Sequence, residues 1–262
     1  MCLVLEWVAK GTLTDFLENK SLDLNWGDPL LKLAADIARG MVYLHGRKYY
    51  DEQEKTYKEC ILHRDLKPDN ILISEFTSAK ITDFGTSKAK EAKDVIMTSV
   101  GTPLFTAPEI FLGDFYDESV DVYSFGLTIL AMSVEESLLD FIGARWCVSF
   151  GKKQPPKQAM RLIKAMTEDG WRPVSADNPV DNVPRVLCEL IERCCNQDAS
   201  LRPRFEDILL QLTGGPLKEE IERINFTRAA RVEVLQPVDG AKVEASSNEP
   251  VMGHRVNLLS DR

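Results

Sequence analysis

The chain has 262 residues, of which 44% are hydrophobic and 28% are charged, and its formal net charge is −9. This composition is ordinary for a soluble globular protein of one large domain or two small ones, and the acidic balance argues against a nucleic-acid-binding protein, which would show a basic patch. No apolar run reaches the roughly 18–20 residues that a membrane span needs, so no span is predicted.

The first predicted elements are a strand and two helices. The continuous apolar run from Leu3 to Val8 predicts a short buried strand. Thr12, followed three residues later by Asp15, predicts the capping box of a short helix. The clearest helical pattern extends from residue 30 to residue 44, with an apolar face at helical spacing.

That second helix has a predicted start signal as well as a periodic face. Asp28 is expected to cap it and Pro29 to occupy its first turn. Residues 46–60 are polar and charged without a period, and they predict a surface loop of unassigned role. Two short strands are then expected at 71–73 and 79–82, joined by a polar turn.

The second half of the chain is predicted to be helical. Residues 86–103 are polar and irregular and indicate a mobile loop, whereas Ser119 to Met132 is apolar on nearly every side and predicts a buried helix. Further helices are expected over 156–168, 184–195 and 203–212. The fold class is therefore mainly α within an α+β arrangement, with a few short strands that carry polar residues.

The end of the chain is predicted to be a tail. Gly214, Gly215 and Pro216 stand in the order that ends a helix, so the domain is expected to cover 1–213 and a tail to cover 214–262. The tail could form one amphipathic helix over 217–235, and the polar remainder is expected to be disordered.

The cysteines indicate a reducing compartment. The six cysteines form no CxxC pair and no regular framework, so reduced thiols and a cytoplasmic location are expected.

Polar side chains are concentrated where the two short strands begin and end. "HRDLKPDN" fills 63–70 and "ITDFG" fills 81–85. Asn70 and Asp83 offer an amide and a carboxylate oxygen, which suit Mg²⁺, and Lys67 could face a phosphate as a point charge. If those two residues hold the metal, Asp65 can accept a hydroxyl proton. This division of labour predicts phosphoryl transfer from a nucleotide to an alcohol.

These motifs resemble those of the protein kinase superfamily. "HRDLKPDN" is similar to the kinase catalytic loop and the Asp-Phe-Gly at 83–85 to its metal-binding motif. "GTPLFTAPE" at 101–109 resembles the end of the activation segment, and "DVYSFG" at 121–126 the buried helix of the lobe. The motifs occur in family order across about residues 1–213, which makes coincidence an inadequate explanation.

The resemblance implies a role for each matching residue of the catalytic loop. Asp65 would be the catalytic base, with Lys67 on a phosphate. Asn70 and Asp83 would be the Mg²⁺ ligands, and ATP would be the phosphoryl donor.

Other matching residues would bind the adenine or stabilise the lobe. Glu6 and Val8 match the hinge, whose backbone bonds adenine, with Leu5 at the gatekeeper position and Leu72 below the base. The resemblance also pairs Arg202, in "LRPRFEDIL", with Glu109.

The details of the motifs resemble serine/threonine kinases rather than tyrosine kinases. The lysine and the Pro-Asp of the catalytic loop carry that distinction, as does the Gly-Thr-Pro at 101–103. "GWRP" at 170–173 is similar to the tyrosine-kinase-like branch, although Cys195 stands where that branch often has tryptophan. The chain begins at the hinge strand, so we expect a partial kinase domain whose amino-terminal lobe is missing and which has little activity alone.

Two functions of different class follow from these expectations. The first is a serine/threonine kinase that uses MgATP to phosphorylate protein substrates in intracellular signalling. The alternative is a non-catalytic, kinase-derived lobe that binds a partner or acts as a scaffold; the intact Asp65, Asn70 and Asp83 argue against it. A small-molecule kinase is disfavoured because "GTPLFTAPE" resembles a peptide-docking segment.

A regulatory partner is also predicted. Arg64 precedes Asp65, an arrangement that in the family couples activity to a phosphorylated activation segment. Thr98 stands where the activating phosphate often lies, so an activating kinase that acts on Thr98 is expected, with Ser99 as its neighbour. Thr102 is expected to be structural.

Overall fold

A computed structural model describes residues 4–51, 55–83, 103–156, 159–175, 177–181 and 183–235. The chain forms two compact units, residues 1–226 and residues 227–262. The described residues of the second unit, 227–235, are helical. The first unit contains the core and all of the candidate site residues. Within the described part of the chain, no helix has both the length and the apolar character that crossing a membrane requires.

Among the described residues, helices form most of the first unit, and four short strands form two separate antiparallel hairpins. The helices are α1 Leu13–Glu18, α2 Leu30–His45, α3 Pro108–Leu112, α4 Ser119–Ser133, α5 Leu138–Phe150, α6 Ala159–Thr167, α7 Arg185–Cys194, α8 Phe205–Thr213 and α9 Gly215–Leu235. The strands are β1 Lys48–Asp51, β2 Thr56–Glu59, β3 Ile71–Ile73 and β4 Ala79–Ile81. The predicted α+β class, dominated by helix, is confirmed.

The core is arranged around α4, which is buried on nearly every side as its sequence predicts. α4 packs against α7, and α2 packs against both α8 and β4. Gly126 permits the close approach of α4 and α7, because a Cβ atom there would lie 2.7 Å from Cys195 Sγ and 2.8 Å from Cys194 Cβ. The two neighbouring cysteines are therefore packing residues of this contact.

Helix α2 carries the apolar face that its periodicity predicts. Leu33 and Ile37 are fully buried, and burial of such an aliphatic side chain contributes roughly 1.5–3 kcal/mol. The predicted start signal was wrong, because Pro29 occupies the N-cap position without a side-chain hydrogen bond and Asp28 does not cap the helix. Asn25 organises the turn instead, since its side-chain oxygen accepts from the backbone N–H groups of Gly27 and Asp28.

The capping box of α1 is confirmed. The Thr12 hydroxyl accepts from the backbone N–H of Asp15 at 3.1 Å, and the Asp15 carboxylate accepts from the backbone N–H of Thr12 at 2.9 Å. These reciprocal bonds satisfy two N–H groups that the start of a helix leaves without intrahelical partners. α1 therefore begins where the local sequence predicts.

The predicted buried strand from Leu3 to Val8 was wrong over the described residues 4–8. Those residues adopt no regular structure, and Val4, Leu5 and Trp7 are exposed by 94%, 72% and 87%. A strand needs a neighbour for its backbone N–H and C=O groups, and none of the described strands pairs with this segment. An apolar run alone is insufficient to bury it.

The predicted irregular loop at 46–60 was also wrong, because it contains the antiparallel hairpin of β1 and β2. Tyr50 lies opposite Tyr57 in the register, and their rings meet edge to face with centroids 5.3 Å apart. Cross-strand aromatic pairs stabilise antiparallel strands. The sequences of these two strands, Lys-Tyr-Tyr-Asp and Thr-Tyr-Lys-Glu, lack the alternating hydrophobic period that reveals most strands.

Helix α5 was missed by the sequence analysis, although its ends carry recognisable signals. Ser137 caps its first turn by accepting from the backbone N–H of Asp140, and Gly151 ends it in the left-handed conformation. The strands predicted at 71–73 and 79–82 are confirmed as β3 and β4, whose register pairs Leu72 with Lys80.

Helix α8 ends at Thr213, so the predicted glycine stop is confirmed, and α9 begins at once at Gly215. The first turns of α9 pack on the first unit, where Leu217 and Ile221 are buried. The Glu220 carboxylate accepts from the backbone N–H groups of Arg185 and Val186 at 2.8 and 3.1 Å. Glu220 therefore caps the start of α7 from a different helix.

Candidate active site

A buried carboxylate on α4 holds the backbone of the catalytic loop. Asp121 is fully buried, and its two oxygens accept from the backbone N–H groups of His63 at 2.9 Å and Arg64 at 2.7 Å. His45 Nε2, at the end of α2, lies 2.9 Å from Asp121 Oδ2. Asp121 therefore joins α4, the end of α2 and the two loop residues that directly precede Asp65.

The loop backbone is strained at the residue that Asp121 holds. Arg64 has a φ of +67°, in the left-handed region that L-residues other than glycine rarely adopt. Such a conformation costs of the order of 1 kcal/mol or more, and the Asp121 hydrogen bond helps to maintain it. The Arg64 guanidinium lies 5.6 Å from the centre of the Tyr116 ring, and its buried Nε atom has no hydrogen-bond partner among the described residues.

The structure brings the three predicted catalytic side chains into direct contact. Lys67 Nζ donates to both oxygens of Asp65, at 2.9 and 2.8 Å. Asn70 Nδ2 donates to Asp65 Oδ2 and to the Asp65 backbone carbonyl, both at 2.8 Å. About a third of the Asp65 side chain remains exposed, so this carboxylate is oriented by its neighbours but stays accessible to a substrate.

The predicted metal ligands are linked through the backbone. The N–H of Thr82 donates to the Asn70 carbonyl at 3.0 Å, and Asp83 follows directly, at an exposed position with a φ of +62°. Because the amide nitrogen of Asn70 donates toward Asp65, its amide oxygen is directed elsewhere and can serve as a ligand.

The amide oxygen of Asn70 and the carboxylate of Asp83 are ligands of the kind that Mg²⁺ prefers. No cluster of three or more histidine, cysteine, aspartate or glutamate side chains among the described residues could hold a metal ion. Asn70 and Asp83, the predicted ligands, would need phosphate and water oxygens to complete the shell. Mg²⁺ sites on nucleotide enzymes are commonly built in this way.

The predicted adenine-binding residues lie on two segments that meet at β4. Leu72 and Lys80 are opposite each other in the β3–β4 hairpin, and the Lys80 ammonium contacts the Glu6 carboxylate at 2.5 Å. Val8 is half-buried and Leu5 is exposed on the irregular segment 4–8. This ion pair links the segment 4–8 to β4, whereas the Leu5 side chain is exposed.

The predicted pairing of Glu109 and Arg202 is present. Arg202 Nη1 and Nη2 donate to the two oxygens of Glu109 at 2.5 and 2.9 Å, and the arginine side chain is fully buried. Arg202 also donates to the backbone carbonyls of Asn196 and Ser119. This network fixes α3, whose first residues Pro108 and Glu109 end the predicted peptide-docking segment, the peptide platform.

Two residues that organise the site were not selected from the sequence. Asp121 carried a usable signal, because a lone acidic residue in a helix predicted to be buried all round requires a partner. His45 is the last residue of α2, and its side chain is only 9% exposed and contacts Asp121. That contact joins positions 76 apart in sequence, which no local pattern reveals.

Several predicted residues lie outside the described part of the chain. They are Phe84 and Gly85 of the Asp-Phe-Gly motif and the activation-segment residues Thr98, Ser99 and Thr102.

Comparison with known proteins identifies related sequences over most of the chain. A family model for the protein kinase domain matches residues 1–212. A protein of Acanthamoeba polyphaga mimivirus, named as a serine/threonine-protein kinase/receptor (R826), is 34% identical over 212 residues, which are 81% of this chain and 11% of that protein.

Relatives in Dictyostelium discoideum are similar to a comparable degree. The protein drkA, named as a serine/threonine-protein kinase, is 33% identical over 213 residues, covering 81% of this chain and 28% of its own length. The protein drkB, named in the same way, is 31% identical over 209 residues, covering 80% and 26%. The chain therefore spans 28% or less of the length of these relatives.

Proposed function

Because the chain belongs to the protein kinase family, we propose that it carries the catalytic loop of a serine/threonine kinase that phosphorylates protein substrates. One observation supports this activity above the others. The Asp65 carboxylate accepts hydrogen bonds from Lys67 and Asn70 and remains partly exposed. Both properties suit a base that accepts a proton from a substrate hydroxyl group.

In the proposed reaction, a serine or threonine hydroxyl oxygen attacks the γ-phosphorus of ATP. The bond between that phosphorus and the oxygen bridging to ADP breaks, and the hydroxyl proton passes to Asp65. Lys67 holds the carboxylate in place and can also face the transferred phosphoryl group as a fixed positive charge. Asn70 fixes the same carboxylate from the other side.

Asn70 and Asp83 would hold Mg²⁺, which neutralises phosphate charge when bound. Their backbone link through Thr82 supports this assignment, because it keeps an amide oxygen and a carboxylate at one edge of the loop. For the adenine we propose contacts with Leu72 and with the segment that carries Leu5, Glu6 and Val8.

Regulation by phosphorylation is a further part of the proposal. Arg64 directly precedes the proposed base Asp65, and its buried Nε, which no described residue pairs, supports a role in binding a negatively charged partner. We propose Thr98 as the residue that an activating kinase would phosphorylate. Thr98 itself lies outside the described residues.

The scaffold alternative is not favoured. The three relatives described above are named as serine/threonine kinases, and the contact between Lys67 and Asp65 supports a role of this loop in transfer.

The test compares three carboxylates in the natural protein that contains this chain. Asp65→Asn is expected to keep Mg²⁺-dependent ATP binding and to lower the turnover by about 10²–10⁴-fold, because it removes a proton acceptor. Asp83→Ala is expected to weaken ATP binding in Mg²⁺ but not in its absence. Calorimetric titration and phosphate-transfer kinetics measure both effects.

Asp69→Asn is the matched control. Asp69 lies in the same loop, but its carboxylate accepts from the Thr14 hydroxyl at 3.1 Å, facing α1 rather than the site. Its turnover should be unchanged. Normal turnover by Asp65→Asn would exclude the proposed role of the loop.

A further inference from the structure

An apolar and acidic patch lies between α3 and α4, beside the predicted peptide platform. Phe111, Leu112 and Phe115 are exposed by 37%, 54% and 100%, although they lie within five residues of one another. Large apolar side chains are normally exposed singly, and a group of them marks a contact surface more often than chance does. We define this α3–α4 patch by these three residues and the acidic Asp114, Asp117 and Glu118.

The backbone that carries the patch is fixed at both ends. Gly113 ends α3 in the left-handed conformation, and its N–H donates to the Ile110 carbonyl, while the N–H of Asp114 donates to the Glu109 carbonyl at 3.0 Å. These bonds anchor the turn to the same glutamate that Arg202 holds. The exposed aromatic side chains therefore stand on an ordered turn.

The other end of the turn is fixed by an ionised carboxylate. Asp117 Oδ1 accepts from the backbone N–H of Ser119 at 2.9 Å, at the start of α4. Burial acts to raise the pKa of Asp117, but the hydrogen bonds from Ser119 and the charge of Arg202 outweigh it, so the pKa lies below its ordinary value. Asp117 consequently remains negative throughout the physiological pH range.

We propose that the α3–α4 patch is a docking surface for a segment of the protein substrate that combines basic and large apolar side chains. The exposed phenylalanines and leucine would pack against the apolar groups, and the three carboxylates would attract the basic ones. The identity of this occupant rests on the proposed kinase function. Docking at a second surface raises the local concentration of the acceptor residue at the catalytic loop.

Two observations favour a substrate segment over a second copy of the chain. The chain carries a net charge of −9, so two copies meeting at this patch would bring like charges together. The patch also follows directly on Pro108 and Glu109, the end of the predicted peptide platform. Tyr116, in the same turn, has its ring centre 5.6 Å from the Arg64 guanidinium, so this turn lies near the predicted catalytic loop.

The binding test uses a fluorescein-labelled peptide of twelve residues that alternates arginine with phenylalanine, together with a peptide in which glutamate replaces arginine. We expect the arginine peptide to bind the full chain, and the double variant Leu112→Ser/Phe115→Ser to raise its Kd at least tenfold. Asp114→Asn should raise the Kd about two- to fivefold and reduce its dependence on salt. The glutamate peptide should not bind.

Phe76→Ser and Glu75→Gln are the matched controls, since both residues are exposed in the β3–β4 turn and lie outside the patch. Neither should change the Kd. Sedimentation of the unliganded chain tests the alternative occupant, a second copy of the chain. If the wild type is a dimer and the double variant is a monomer, the proposal is overturned in favour of self-association. Equal Kd values for the double variant and the wild type would also overturn it.

The same variants distinguish this inference from the proposed function. In the natural protein, the double variant should raise the KM for an acceptor peptide that carries the Arg-Phe segment and leave the KM for ATP and the kcat unchanged. A short acceptor without that segment should be phosphorylated equally by both proteins. If no protein transfers phosphate but the arginine peptide still binds as predicted, the kinase proposal fails and the docking surface stands.

Discussion

Two parts of the first unit, the buried contact of α3 with Arg202 and the predicted catalytic loop, each contain a carboxylate paired with a cation, and the surroundings of the two pairs differ. Arg202 and Glu109 are almost completely buried, and the guanidinium has four hydrogen-bond acceptors. Lys67 and Asp65 are partly exposed, by 15% and 35%. The comparison shows how one kind of interaction serves two purposes: a buried pair fixes two segments, whereas an accessible pair orients a carboxylate that can still react.

The largest effect on stability is expected at the buried pair. Arg202→Leu leaves Glu109 buried without its partner, which costs about 3–5 kcal/mol when such a pair is broken on one side. Urea unfolding followed by circular dichroism measures the loss. The double variant Arg202→Leu/Glu109→Leu should recover part of it, because no buried charge remains. If Arg202→Leu lowers the free energy of unfolding by less than about 1 kcal/mol, the Arg202–Glu109 pair contributes no more than a solvent-exposed pair does.

A smaller effect is expected where the two regions are joined by α4. Asp121→Asn keeps the shape of the side chain but weakens its hydrogen bonds to the loop backbone, so it should cost about 1–3 kcal/mol. It should also lower turnover with little change in ATP affinity, because the position of Asp65 depends on this anchor. Asp140→Asn, the same substitution on an exposed turn of α5, is the control. Equal effects from both would contradict the anchoring role.

The smallest effect is expected at the pair formed by Lys80 and Glu6, whose side chains are exposed by 42% and 68%. A double-mutant cycle with Lys80→Gln and Glu6→Gln should give a coupling of about 0.2–1 kcal/mol. This coupling should diminish in 0.5 M salt, since solvent-exposed charges are screened. A coupling energy above this range, or one that persists in high salt, would contradict a solvent-exposed pair and would show that Glu6 is held firmly against β4.

The parts of the fold that were predictable depend on neighbours in sequence. The Thr12 capping box, the apolar face of α2 and the glycine stop after α8 involve residues a few positions apart, and each is present as predicted. α4 was recognisable because it is apolar all round. The kinase fold followed from motif order, and the helix-rich architecture agrees with it.

The parts that were not predictable depend on distant partners. Residues 4–8 have strand-forming composition but no neighbouring strand among those described. The β1–β2 hairpin is stabilised by a pair of tyrosines on an otherwise polar ribbon, which produces no apolar period. The grouping of Asp65, Lys67 and Asn70 was predictable from their spacing of two and five residues, whereas the His45–Asp121 contact was not.

The cap that Glu220 places on α7 has a practical consequence for anyone who divides this polypeptide. The family match ends at residue 212, which makes that position the natural choice for a cut or for the attachment of a tag. A cut there would remove Glu220 and uncover the sites that Leu217 and Ile221 fill. A protein that ends after residue 226, where the first compact unit ends, would keep all three residues.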